Sequence, residues 1–324
     1  MNATPLLSVE SLSVSFATES GRVTVVEDVS FQVPAGKTVG LVGESGCGKS
    51  VSAMTVMRLL PSPPSRIDGG RILFDGSDLA RLPETEMRAV RGDRIGMIFQ
   101  EPMTSLNPTL TIGFQIAEVL RRHRRMDSKM ARVWSANILK QVGIGGADRR
   151  LDQYPHQLSG GLRQRVMIAM ALICRPALVI ADEPTTALDV TIQAQILDLL
   201  RRLQHDIGMA ILLITHDLGV VAEMCEDVFV MYAGRIVERA AVAELFKSPR
   251  HPYTAGLLAA SPRRTARGTR LTTIPGMVPP PGKRGTGCSF ADRCARVMER
   301  CRSERPALSS AGNGHLTACW NPVP

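Results

Sequence analysis

Between Gly43 and Ser50 the chain reads Gly43-Glu44-Ser45-Gly46-Cys47-Gly48-Lys49-Ser50, a G-x-x-x-x-G-K-S pattern. Glycines at these spacings let the backbone wrap closely around phosphate oxygens, because no Cβ blocks left-handed or strained dihedrals. Successive N–H groups and the positive end of a following helix then favour an anion. Lys49 is placed to reach the β- and γ-phosphates, and the Ser50 hydroxyl to sit on Mg²⁺. A short pattern of this kind is convincing in a strand–loop–helix context. That context is present: the apolar run Thr38 to Val42 leads in, and a helix-like stretch from Val51 to Leu60 follows before Pro61. The expectation is a nucleotide-phosphate site.

A second chemical feature is Asp182-Glu183, at the tip of the apolar run Ala177 to Ala181. Ligands of doubly wound sheets bind off the carboxyl ends of strands. Asp182 therefore suits Mg²⁺ and Glu183 suits an attacking water. Taken alone a strand-terminal Asp-Glu is often a solvated turn; a phosphate loop upstream favours the catalytic reading. A third feature is Leu158-Ser159-Gly160-Gly161, opening a helix expected to run to Cys174. Ser159 suits the N-cap, and the glycines expose helix N-terminal amides. A single ATP does not need two anion sites on one subunit. This one is therefore expected to serve the nucleotide of a partner.

The elements that would position these groups are readable. Residues 7 to 42 suggest an antiparallel β-rich opening, with alternation at Leu12 to Phe16 and Val29 to Val33 and a turn at Gly21. Arg71 to Gly76 reads as a strand and turn, and Ile95 to Phe99 as a short strand ending at Gln100. Thr111 to about Gly143 is helical in pattern. Ala177 to Ala181 and Ala210 to Ile214 are unbroken apolar runs, as buried parallel strands require. Between them Asp189 is placed to cap a helix with the stripe Ile196, Leu200, Leu203 and Ile207, ending at Gly208. Alternating strands and helices indicate a mostly parallel α/β sheet.

Composition narrows the class. Hydrophobic residues make up 44% of the 324 residues and charged ones 21%, ordinary for a globular chain. No run approaches the ~20 apolar residues of a membrane span. Met1 to Glu10 lacks the layout of a signal peptide, so a cytosolic protein is expected. The net charge is +9, and residues 250–305 alone carry 12 Lys/Arg against 3 acids. A charge excess confined to one end argues against a nucleic-acid-binding core and for a basic appendage. That appendage is punctuated by Pro249, Pro252, Pro262, Pro275, Pro279, Pro280 and Pro281. It carries Cys288, Cys294, Cys301 and Cys319 in a C-x5-C-x6-C-x17-C spacing. Four thiols this close in a cytosolic chain favour a metal site over disulfides. The spacing lacks the close pairs of common zinc folds and equally suits an iron–sulfur cluster. Arg293, Arg296, Arg300, Arg302 and Arg305 would offset its charge. Cys174 and Cys225, in apolar helices, are expected core residues.

Together these motifs resemble the ATP-binding cassette (ABC) ATPases, in the family's order over roughly residues 7 to 235. Gly43 to Ser50 matches Walker A, Gln100 the Q-loop, Leu158 to Gly161 the signature motif and Val179 to Glu183 Walker B. Ala187-Leu188-Asp189 matches the D-loop, and His216 the switch histidine that contacts the γ-phosphate. Leu162 stands where the broader family often has Gln. The resemblance implies an α/β P-loop cassette over residues 1–235: a RecA-like core, an antiparallel β subdomain and a helical signature subdomain at about 101–165. It implies nucleotide contacts from Val51 and Gln100, an adenine-stacking aromatic for which Phe16 is the candidate, and Mg²⁺ ligation by Ser50, Gln100 and Asp182. Glu183 and His216 are the implied catalytic residues. Ser159, Gly160, Gly161 and Asp189 are the implied contacts to a partner's nucleotide. Cys47 stands in the loop where Ser is commoner, and Lys49 beside it is expected to lower its thiol pKa and make it oxidation-sensitive.

Gln100 to Pro108, Tyr154 to Leu158, Asp182 to Gln195 and His251-Pro252-Tyr253 are similar to segments of dipeptide/oligopeptide permease ATPases. This extends the resemblance over nearly the whole chain, with residues 236–324 as the small cysteine-containing C-terminal domain. In that subfamily four such cysteines can hold a [4Fe–4S] cluster; zinc and unmetallated thiols are the other readings. The resemblance implies a heterodimer with a paralogous ATPase, two transmembrane permease subunits meeting residues 100–107 and the helices that follow, and an extracytoplasmic solute-binding protein. It implies peripheral attachment to the cytoplasmic face of a bacterial inner membrane and import of di- or oligopeptides, with no nucleic acid. The competing class is a soluble, non-transport ABC ATPase acting on ribosomes or nucleic acid. Such chains carry tandem cassettes or long coiled-coil insertions, and neither is visible.

Overall fold

The structure, a computed structural model, describes residues 4–19, 21–186, 188–260 and 273–324. Ala187 of the expected D-loop and Pro262 of the expected tail prolines lie outside them. The chain divides into two compact units, Met1–Arg81 with Leu213–Pro324, and Leu82–Leu212.

The first unit opens with β1 (Leu7–Thr18) and β2 (Gly21–Val33), an antiparallel pair with Leu7 opposite Val33 and Thr18 opposite Gly21. Alternation drives it: Leu7, Val9, Leu12 and Val14 of β1 are buried, while Glu10 and Ser13 are not. β3 (Thr38–Val42) is buried at every position, as its unbroken apolar run requires. β4 (Ser65–Phe74) pairs antiparallel with β1, and β5 (Ser77–Asp78) with β4, giving the order β2-β1-β4-β5.

The second unit sets β6 (Ile95–Ile98) parallel to β7 (Leu178–Asp182), Ile95 opposite Leu178. The expected helical region is two helices, Ile112–Arg124 and Ser128–Gln141. Thr111 Oγ1 accepts from the Phe114 N–H at 3.3 Å, and Asp127 Oδ1 from the Met130 N–H at 2.9 Å, so each helix has its own cap. The signature helix is Gly160–Leu172, two residues short of the expected end at Cys174. The helix Val190–Ile207 buries Ile196, Leu200 and Leu203, leaves Ile207 half-buried, and ends on left-handed Gly208.

β8 (Ala210–Thr215) is buried throughout and returns the chain to the first unit. There β9 (Asp227–Tyr232) pairs parallel with β3. The antiparallel opening therefore ends at β2, and β3 belongs to a different sheet. β10 (Arg235–Ala241) turns back from β9 through Ala233 and Gly234, at φ 44° and 82°. The two last strands, β11 (Ser309–Gly312) and β12 (His315–Thr317), pair with each other, and β12 with β10. Glu238 of β10, fully buried, ties the tail in. Its carboxylate accepts from the Arg250 and His251 N–H groups at 2.6 and 3.0 Å and meets His315 Nε2 at 2.6 Å. The core under β3 and β9 joins Val42, Val228, Val230 and Tyr232 to Tyr253 and Phe290 from the tail.

Leu41 of β3 is completely buried beside the phosphate loop. Leu41→Ala is expected to cost about 2–5 kcal/mol, as lost transfer energy plus a cavity. A urea midpoint unchanged from wild type would contradict the packing of β3.

Candidate functional site

In the first unit β3 delivers the chain into Gly43. Its φ is +153°, and a Cβ there would lie 2.2 Å from the Met231 carbonyl oxygen of β9. Gly48 caps the helix Lys49–Val56 at φ 109°, and a Cβ would lie 2.8 Å from Met231 Cε. Both dihedrals favour glycine, and at Gly43, where the clash is with backbone, space demands it as well. Lys49 is buried, and its ammonium donates to the Gly43 and Glu44 carbonyls at 2.7 and 3.0 Å. The Cys47 carbonyl accepts from the Gly234 N–H at 2.8 Å, fixing the middle of the loop to the β9–β10 turn. Ser50 lies in the first helical turn, half-buried, with Val51 beside it. Phe16 is half-buried in β1, opposite Val23 and Ser65. His216 is exposed directly after β8, and Asp217 caps the helix Leu218–Met224 through the Gly219 N–H at 2.7 Å.

Cys47 departs from its expected chemistry. The thiol is fully buried, and burial pushes its pKa up from the ordinary value; Lys49, 3.9 Å away, only partly opposes this. The expectation of a lowered pKa considered the neighbouring charge and missed the desolvation.

In the second unit Asp182 is buried at the end of β7. Glu183 follows in a left-handed conformation, φ 46°. Gln100 Nε2 donates to Glu183 Oε2 at 3.1 Å, and Thr186 Oγ1 donates to the same oxygen at 2.8 Å. The Q-loop and Walker B candidates are thus brought together. Gln164 of the signature helix donates to the Pro184 carbonyl, holding the turn below. Ser159 is the exposed N-cap of that helix, but its hydroxyl makes no cap bond. Gly160 is open, and Gly161 approaches Ile192. Asp189 is exposed and caps its own helix through the Ile192 N–H at 2.9 Å. Gln100, Met103, Gly160, Arg163 and Thr186 line a 440 Å³ cavity.

The tail cysteines converge. Cys288, Cys294, Cys301 and Cys319 line one cavity of about 10 Å³ with His251, Phe290 and Trp320. All four are free thiols. Burial raises the Cys288 and Cys294 thiols, and pushes Cys319 up to about 11. The donor set fits a thiolate-ligated metal or cluster in its chemistry. The room is that of about one water, and among the described residues no group of three or more His, Cys, Asp or Glu is arranged to hold an ion. The arginines expected to offset thiolate charge are mostly occupied elsewhere. Arg293 holds Glu44, Arg300 Glu304, Arg302 Asp292 and Arg305 Glu27; Arg296 is the one lining the cavity. Cys174 is buried and Cys225 half-buried, each just past a helix end rather than within it.

Two residues of the first unit reach the phosphate loop without having been marked for it. Tyr253 OH accepts from the Glu44 N–H at 2.8 Å, and Arg293 pairs with the Glu44 carboxylate at 2.6 and 2.9 Å. Neither separation, 209 and 249 residues, carries a local signal.

The family model described as ABC transporter matches residues 26–186, and that of the oligopeptide/dipeptide transporter C-terminal region matches residues 237–301. The dipeptide transport ATP-binding protein DppD of Bacillus subtilis (strain 168) is 50% identical, over 97% of this chain and 94% of its own length. That of Escherichia coli (strain K12) is 49% identical, over 98% and 97%. Among solved structures, the dimeric cassette MJ0796 in a post-hydrolysis state with ADP and phosphate aligns with TM-score 0.65 and 26% identity. It covers 73% of this chain and 98% of that one.

With its thiol buried and raised, Cys47 is expected to react with iodoacetamide at neutral pH at least about tenfold more slowly than an exposed cysteine. Peptide mass spectrometry over time checks this; rapid alkylation of the folded chain would show the loop thiol to be accessible.

Proposed function

This chain belongs to the family of ABC peptide-import ATP-binding subunits, and from that premise we propose that it hydrolyses ATP to power import of di- and oligopeptides through a membrane transporter. The α/β P-loop cassette fold is that of the family. The observation that carries the reading at residue level is the phosphate loop: Gly43 demanded by close backbone approach, Gly48 favoured by its positive φ, and a buried lysine ammonium turned onto the loop.

In the proposed reaction the loop Gly43 to Ser50, through amides other than that of Glu44, and the Lys49 ammonium bind the β- and γ-phosphates, with Val51 next in the loop helix and Phe16 under the adenine. Ser50 and Asp182, with Gln100, would hold Mg²⁺, which when bound offsets phosphate charge. Glu183 accepts a proton from the water attacking the γ-phosphorus, as the bond to the ADP oxygen breaks. The Gln100 amide and Thr186 hydroxyl orient the carboxylate for that transfer. His216 contacts the γ-phosphate. Ser159, Gly160, Gly161 and Asp189, all but Gly161 exposed, serve the nucleotide of a paralogous partner in a head-to-tail heterodimer. The further partners are two permease subunits, met through residues 100–107, and an extracytoplasmic solute-binding protein. The chain then works at the cytoplasmic face of the inner membrane, as a peripheral subunit; no helix among the described residues is long and apolar enough to cross a membrane. We assign residues 1–235 to the ATPase domain, with the helical subdomain at about 101–165, and 236–324 to the C-terminal domain. There Cys288, Cys294, Cys301 and Cys319 would ligate a [4Fe–4S] cluster, with zinc as the second choice, once the thiols are deprotonated and the cavity opens.

Glu183→Gln is expected to bind MgATP normally and to lower turnover by about 10²–10⁴-fold, the usual share of a general base. Steady-state phosphate release by the assembled transporter measures it, and normal turnover would remove Glu183 from the mechanism. Anaerobically purified protein is expected to absorb near 400 nm and contain about four irons per chain, both lost in Cys288→Ser. Zinc without iron in the metal analysis would select the second choice.

A further inference from the structure

The C-terminal segment grips the phosphate loop at one residue through two side chains. Glu44, first after Gly43, gives its backbone N–H to the Tyr253 hydroxyl at 2.8 Å. Its carboxylate takes both terminal nitrogens of Arg293, at 2.6 and 2.9 Å. Arg293 is 5% exposed and Glu44 29%, so the pair is shielded on the arginine side. Bidentate charge-assisted bonds in such a setting are directional as well as strong.

The seat of this grip is itself rigid. Arg293 Nε donates to the Pro275 carbonyl at 2.8 Å, and a terminal nitrogen donates to the Tyr232 hydroxyl at 3.3 Å. Its guanidinium lies over the Tyr232 and Phe290 rings, 5.8 and 5.9 Å from their centroids. The Tyr253 ring packs on Tyr232 at 4.6 Å and Phe290 at 5.4 Å. Both arms therefore stand on one aromatic cluster.

Glu44 poses a problem that this grip solves. A carboxylate in a loop built to receive a polyphosphate repels its ligand when free, and the loop backbone must hold its amides convergent. We propose that Arg293 and Tyr253 are positioning residues for the phosphate loop: Arg293 neutralises and immobilises the Glu44 carboxylate, Tyr253 fixes the Glu44 amide, and the C-terminal segment thereby sets nucleotide affinity. The inference rests on the reading of Gly43 to Ser50 as the ATP site and adds a role for residues outside it. Arg293 does not touch the nucleotide and acts through Glu44.

The test is a charge-rescue cycle in the full-length chain, reading the dissociation constant for MgATP by calorimetry and the thermal midpoint in parallel. Arg293→Ala leaves a buried-edge carboxylate uncompensated and is expected to weaken MgATP about tenfold. Adding Glu44→Gln removes that charge and is expected to restore affinity to within about threefold of wild type, with the thermal midpoint still lowered. A purely structural role for Arg293 would not be rescued by removing the opposite charge. Tyr253→Phe, which keeps the ring and loses the hydroxyl, is expected to weaken MgATP by about threefold, one neutral hydrogen bond; it decides the matter if Arg293→Ala does not fold. In the assembled transporter the Arg293→Ala effect should fall on KM for ATP and leave kcat near wild type. Unchanged affinity in Arg293→Ala, absence of rescue by Glu44→Gln, or an unaltered Tyr253→Phe overturns the inference. A wild-type chain that takes no MgATP overturns the ATP-site reading, and the inference with it.

Discussion

The constraint on which the site depends is the approach of Gly43 to the Met231 carbonyl. A Cβ at position 43 would sit 2.2 Å from that oxygen, inside any allowed contact. β3 and β9 pair in parallel from Val39 to Val42, so the loop must leave the sheet directly against its neighbour's backbone. Gly48 faces Met231 again at the far end of the loop. Pinned at both ends by one strand, the loop has little choice of path. Lys49 folds back onto its carbonyls, and Glu44 is turned toward the tail. The loop's path is set at Gly43, where backbone leaves no room for a Cβ, and at Gly48, where the positive φ favours glycine.

Charge balance is organised over the same long separations. Residues 250–305 look strongly basic when counted as a segment, yet two of their arginines, Arg293 and Arg305, are held by carboxylates from the N-terminal part of the chain. Glu27 of β2 takes Arg305 and Arg235, and Glu44 takes Arg293. The two arginines hold the Glu27 carboxyl below the usual range, Arg235 foremost. An arginine counted in a segment is thus not free to serve a neighbouring site when the fold gives it a counterion from elsewhere. This is why an offset for thiolate charge was a reasonable expectation from the count and fails as geometry, Arg296 excepted.

Legibility followed the range of the interaction. The phosphate loop, the apolar strand ending in Asp182 and Glu183, and the cap Asp189 are local patterns whose physics lies within a few residues. All were readable, as was the convergence of four close cysteines. The parallel seating of β3 on β9 was not, because an apolar run of five does not name its partner. Cys47 failed for a related reason. Its charged neighbour is two residues away in sequence, whereas the burial that decides its pKa comes from packing. Ser159 shows the converse: a good cap residue by type whose hydroxyl makes no cap bond, leaving the helix N-terminus exposed.

The tail is then best understood as the outer wall of the phosphate loop. Arg293 immediately precedes Cys294, and Tyr253 lies two residues beyond His251; Cys294 and His251 both line the cysteine cavity. Phe290 belongs to that cavity wall and to the aromatic cluster under Arg293. The Nδ1 of His251 accepts the Tyr253 N–H at 3.1 Å, and burial lowers its pKa to about 4, so the ring stays neutral and keeps this acceptor at physiological pH. Cavity and loop therefore share walls. A rearrangement that moved Cys294 or Phe290 would reach Glu44 through one peptide bond or one ring contact. Proximity of this kind gives a cysteine-bearing segment a mechanical reason to be fused to a nucleotide-binding loop, whatever its thiols hold.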